Sequence, residues 1–150
     1  MTDAEPDRPR ALDQLARAAY SLSAADARLR GRATRTPGAL SLTHARALRV
    51  LAEDGPLPVN QLAARTETTG AATTQLVNGL AEAGYVTRER HTSDKRSVLV
   101  TLTATGRGRH DERQQALADA LSEALGHIDT STLDAATDVL RRLAGIYDAL

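Results

Sequence analysis

One segment restricts the fold of this 150-residue chain more than any other. Tyr85-Val86-Thr87-Arg88-Glu89-Arg90 and Ser97-Val98-Leu99-Val100-Thr101-Leu102 make its one convincing β-hairpin pattern. The strands are rich in Val, Thr and Leu, and the intervening His91-Thr92-Ser93-Asp94-Lys95-Arg96 supplies Ser and Asp as turn formers. Basic residues crowd both sides of the tip, which holds the chain's one lysine. Everything around this hairpin reads as helical, and a lone basic hairpin behind a helix-turn-helix pattern has the form of a DNA-binding wing.

The surrounding periodicity is consistent with that reading. Leu12, Leu15, Ala19, Leu22 and Leu29 recur at helical spacing and predict a long first helix from about Ala11 to Ala33, broken by Pro37 and Gly38. Ser41 or Thr43 can cap a second helix bearing Ala47, Leu48 and Leu51, which Gly55 and Pro56 end. Pro58 to Ala64 predicts a short third helix and Thr66 to Gly70 a turn. A fourth helix runs from about Gly70 to Ala83, closed by Gly84. Beyond the hairpin, Leu102-Thr103-Ala104-Thr105-Gly106 opens a fifth helix striped by Leu117, Leu121 and Leu125. Ser131 can cap a sixth that carries Leu133, Leu140, Leu143, Ile146 and Leu150. These stripes exceed what a winged domain of about 60 residues can cover, so they are expected to pack on each other and on a second subunit.

The fourth helix has two distinct faces. Thr73, Leu76, Val77 and Leu80 share one, mostly apolar and expected to meet the core. Ala71, Thr74, Gln75 and Asn78 share another, small or amide-bearing and without charge. Short side chains permit close approach to a major groove, amides can pair bidentately with adenine, and methyl groups can touch thymine. The same face also suits plain solvent contact.

Formal net charge is zero, which taken alone argues against a nucleic-acid partner, but the charges are unevenly distributed. Between Gly84 and Arg109, six basic residues oppose only Glu89 and Asp94, while residues 104–150 hold five Arg against eight acids. The aromatic residues are Tyr20, Tyr85 and Tyr147 alone, which disfavours surfaces that stack single-stranded bases. With no cysteine, disulfides, thiolate catalysis and thiol-based peroxide sensing are out of reach. The N-terminal segment lacks a basic start followed by an apolar run, and no stretch suffices to span a bilayer, so a cytoplasmic protein without a membrane partner is expected.

The element order resembles the MarR family of winged helix-turn-helix transcriptional regulators over nearly the whole chain. Leu80-Ala81-Glu82-Ala83-Gly84-Tyr85-Val86 is similar to the family's Leu-Glu-x-x-Gly-Leu-Val ending of the recognition helix. Asp94-Lys95-Arg96 falls at the spacing of its Asp-x-Arg wing, and Leu102-Thr103-x-x-Gly106 matches the start of its fifth helix. The resemblance implies a mainly α fold with a small β-wing: a winged helix-turn-helix region over 41–103, with dimerisation helices over 11–36 and 104–150 of one 1–150 domain. It implies a homodimer reading a palindromic operator in double-stranded DNA, most simply a repressor overlapping a promoter and released by a small molecule. Thr69, Ala71, Ala72, Thr74 and Gln75 would lie in the major groove, with Asn78 further along the same helix. Arg96 would enter the minor groove supported by Asp94, and Arg88, Arg90 and Lys95 would meet phosphate. An effector cleft between dimer helices and winged domain would draw on Arg17, Tyr20, His44 and Arg49.

Two departures from the family pattern matter. Thr73 stands where an apolar residue is usual, which is expected to soften packing. The recognition helix also offers no Arg or Lys, removing the commonest guanine contact and shifting the expected specificity to A/T-rich positions and groove shape. No catalytic signature, phosphate-binding loop or nucleotide fingerprint appears, so no enzymatic role and no cofactor are expected. No two of His44, His91, His110 and His127 share a helical face, so no metal site is expected either, although separate helices could gather His44 and His110 with Asp111 or Glu112. A winged-helix module for protein association and a metal-dependent sensor stay open as rival readings.

Overall fold

A computed structural model describes residues 7–36, 39–90 and 98–150, in two compact units: Met1–His110 and Asp111–Leu150. The first unit holds α1 (Arg8–Ala33), α2 (Leu42–Asp54), β1 (Leu57–Pro58), α3 (Val59–Thr66), α4 (Gly70–Glu82), β2 (Val86–Arg90), β3 (Val98–Leu102) and the start of α5 (Ala104–Leu125). The second holds the rest of α5 and α6 (Thr130–Asp148). The fold is thus mainly α with a small antiparallel sheet, as expected from the sequence.

Boundaries follow local chemistry. Helix α1 starts earlier than its apolar stripe suggests because Pro9 fits the first turn, where its missing N–H is not needed. Ser41 caps α2, its Oγ accepting the His44 backbone N–H at 3.2 Å, and Gly55 ends the helix at φ +79°. Strand β1 was not expected from the pattern; it is two residues long and contains Pro58. It survives because the sheet order β1-β3-β2 makes it an edge, where proline's missing donor is tolerated. The hairpin register sets Val86 opposite Leu102, Arg88 opposite Val100 and Arg90 opposite Val98.

The core of the first unit joins α2, α3, α4 and the sheet. Leu48, Leu51, Leu62, Val77, Leu80 and Val100 are almost wholly buried, with Leu40, Leu76, Tyr85 and Val86 beside them. Burying one such aliphatic side chain contributes roughly 1.5–3 kcal/mol. The predicted inner face of α4 is confirmed residue for residue: Thr73, Leu76, Val77 and Leu80 are all buried.

The second unit has a different character, for no residue of 111–150 is buried. Leu117, Leu121 and Leu125 along α5, and Leu133, Leu140 and Ile146 along α6, remain exposed. Asp129 caps α6, accepting the Thr132 N–H at 2.8 Å; Ser131, the expected cap, instead donates its hydroxyl to the same carboxylate at 3.1 Å. A carboxylate two residues earlier in the chain reaches the orphan N–H better than a hydroxyl already inside the first turn.

Candidate nucleic-acid interface

The turn between α3 and α4 fixes how α4 is presented. Helix α3 ends on Glu67 in the left-handed region, φ +55°, with the Thr68 N–H donating to Ala63 O at 3.0 Å. Three threonine hydroxyls then run through the turn. Thr66 Oγ1 lies 2.7 Å from Leu62 O and 2.8 Å from Thr68 Oγ1, which lies 2.7 Å from Thr73 Oγ1. The Thr66 hydroxyl donates to Leu62 O and the Thr73 hydroxyl to Thr69 O at 2.8 Å, which leaves the Thr68 proton for Thr66 or Thr73. Thr73 is fully buried, and its hydroxyl ties α4 to the turn.

Ala71, Ala72, Thr74 and Gln75 are exposed on α4 as expected, presenting an uncharged surface. Thr69 serves as the N-cap, its Oγ1 accepting the Ala72 N–H at 3.2 Å. Asn78 is half-buried and accepts a hydrogen bond from the Arg88 guanidinium. Arg88 shares the sheet face of Val86 and Val100, so the strand aims it at α4 and sets a cation beside a helix that carries none. This pairing across ten residues has no signal in local sequence. Arg90 is exposed, whereas Asp94, Lys95 and Arg96 lie outside the described residues.

The base of the wing is clamped. Gly84, at φ +79°, lets the Tyr85 N–H return to Leu80 O at 2.9 Å and close α4. Across the hairpin, the Thr103 hydroxyl donates to Gly84 O at 2.7 Å, accepts the Gly106 N–H at 3.0 Å, and the Thr103 N–H donates to Tyr85 O at 3.0 Å. Gly106 packs so closely there that a Cβ would stand 2.0 Å from Tyr85 O. The Leu-Thr-x-x-Gly string is therefore the joint between wing and α5.

On the side of α4 away from its N-terminal half is a cavity of about 600 Å³, with Leu40, His44, Gly79, Glu82 and Tyr85 in its wall. Of the four expected effector residues only His44 reaches it. Arg17 pairs with Asp13 at 2.7 Å, Arg49 pairs with Glu53 at 2.9 Å, and Tyr20 is 75% exposed. The cavity instead uses the end of α1 and of α4, which the sequence reading did not associate. Burial pushes the His44 imidazole below its ordinary pKa. Its Nδ1 lies 2.7 Å from Ser41 Oγ, and its Nε2 would stand 3.7 Å from a Cβ at Gly79. Among the described residues no three His, Asp or Glu side chains are grouped to hold a metal ion, and no helix is long and apolar enough to cross a membrane.

Comparison with known proteins agrees with this geometry. The model of the MarR family matches residues 40–97. Over 141 residues, 93% of this chain and 96% of the other, the sequence is 33% identical to the HTH-type transcriptional regulator Mb0904 of Mycobacterium bovis. It is 41% identical over 61 residues, 41% of this chain and 36% of the other, to the HTH-type transcriptional repressor YetL of Bacillus subtilis. Among solved structures, a probable transcriptional regulator from Pseudomonas aeruginosa superposes with a TM-score of 0.62 at 31% identity, covering 69% of this chain and 78% of that one.

Proposed function

Since this chain belongs to the MarR family of transcriptional regulators, we propose that it binds a pseudo-palindromic operator in duplex DNA as a homodimer and represses transcription until a small molecule releases it. The observation that carries the reading is the pairing of an exposed, uncharged α4 face with a cation, Arg88, held at its edge by Asn78. Ala71, Ala72, Thr74 and Gln75 are short enough to let α4 approach base edges, where the Gln75 amide can pair with adenine. Thr69, as cap, orients the helix N-terminus toward phosphate. Asn78 acts mainly by holding Arg88, which with Arg90 and Lys95 neutralises phosphate, while Arg96 probes a narrow minor groove with Asp94 beside it.

Self-association is supported by the exposed leucines of α5 and α6, since residues 111–150 hold no buried residue and so lack a core of their own. Repression is supported by the likeness to YetL, and ligand release by a cavity that abuts α4. Selection of bound sequences from a random duplex library, followed by footprinting and a salt titration of the selected site, tests the reading. A two-fold symmetric site whose affinity falls steeply with salt is the expected result. An affinity indifferent to salt would turn the interpretation toward protein association.

A further inference from the structure

The turn and helix proposed to meet DNA carry one charge between them, and its sign opposes the task. Across residues 66–81 the only formally charged side chain is Glu67. It stands two residues before Thr69, the cap of α4, and is well exposed. A carboxylate so close to the end of α4 that approaches phosphate repels the duplex if left alone. Its backbone is also held left-handed, at φ +55°, where glycine would sit without strain. Stability does not account for the choice, since an ion pair this exposed contributes little. A strained residue whose side chain adds little to the fold points to a use outside the fold.

The counter-charge comes from another element. Arg46, between the buried Ala45 and Ala47 of α2, sets its Nη2 2.9 Å from Glu67 Oε2 and keeps more than half of its side chain exposed. A guanidinium fork that gives one corner to a carboxylate has donors to spare for a second anion. We propose that Arg46 is a phosphate contact of the recognition turn and Glu67 its positioning residue. On the operator, with α4 seated in the groove, the guanidinium bridges the Glu67 carboxylate and a backbone phosphate oxygen. The carboxylate spares the arginine the rotamer entropy of reaching that geometry alone. On an unrelated duplex α4 does not seat, the bridge does not close, and Glu67 only repels. The pair thus raises the specificity ratio without touching a base. This assignment rests on the regulator reading above.

Fluorescence titration of the full chain with the selected duplex and with an unrelated one, over a range of salt, tests the pair. Arg46→Ala should weaken operator binding about tenfold or more and reduce the slope of log affinity against log salt by about one. Arg46→Lys keeps the charge but loses the fork, and should recover only part of that affinity. Glu67→Gln should raise affinity for the unrelated duplex about threefold or more and leave operator binding equal or weaker, so that the specificity ratio falls. In the Arg46→Ala background the same change should strengthen binding to both duplexes alike, an inversion that a merely structural role for Glu67 would not produce. Circular dichroism and urea midpoints close to the parent's show that each variant is folded. Operator binding by Arg46→Ala equal to the parent's, or Glu67→Gln strengthening both duplexes equally in the parent background, would overturn the proposal. A parent chain that binds the operator regardless of Arg46 removes this assignment alone, whereas a parent that ignores every duplex removes the regulator reading and the assignment with it.

Discussion

Glu67 and Gly84 close α3 and α4 in the same left-handed way, yet only one of them is glycine. An L-residue in that region is strained by roughly 1–2 kcal/mol, while the Arg46–Glu67 ion pair, 2.9 Å long but well exposed, returns little. Glu67→Gly should therefore raise stability by about 1 kcal/mol, measurable as a higher urea midpoint at unchanged slope. Gly106→Ala should do the opposite. Its new methyl meets the Tyr85 carbonyl, which as backbone cannot swing aside, and a loss of roughly 3 kcal/mol is expected by the same assay. His44 adds a pH dependence of definite sign. Burial lowers its folded pKa below the ordinary 6.5, so the unfolded chain takes up the proton first and stability falls as pH drops below about 6.5 toward the folded value. Chemical denaturation between pH 5 and 8 should show this slope, and His44→Gln should flatten it; a slope unchanged in that variant assigns the effect elsewhere.

At the scale of elements, the wing and α4 divide the proposed work between them. Arg88→Ala should weaken binding to every duplex alike and reduce the slope of log affinity against log salt by about one, as loss of a phosphate contact does. Arg96→Ala should weaken operator binding substantially while sparing unrelated duplexes, because a minor-groove probe reads width; equal affinity for parent and variant in a salt-controlled titration would contradict its assignment. The residues behind these expectations were not equally legible. The inner face of α4 and the stops at Gly55 and Gly84 could be read from spacing, because period and glycine are local signals. Strand β1 could not, since its partners Leu99 and Val100 are distant in sequence and Pro58 argues against a strand. The Arg88–Asn78 bond and the threonine chain likewise exist only once the helices have packed.

At the scale of the whole molecule, the contrast lies between a first unit with a closed core and a second with none. If α5 and α6 complete their packing against a second copy, the melting temperature should rise with protein concentration, as mass action requires. Leu121→Glu, which charges the exposed stripe of α5, should abolish that dependence and yield a monomer by sedimentation; a concentration-independent melt of the parent chain would argue for an isolated subunit. The leucine stripe was visible in the sequence, but its exposure in the folded chain was not. The absence of any buried residue in 111–150 also bears on how long each molecule lasts. A chain without a partner offers this segment to proteases with little to protect it, whereas a paired one hides it. Turnover would then depend on pairing, and limited digestion should cut this segment faster as the protein is diluted.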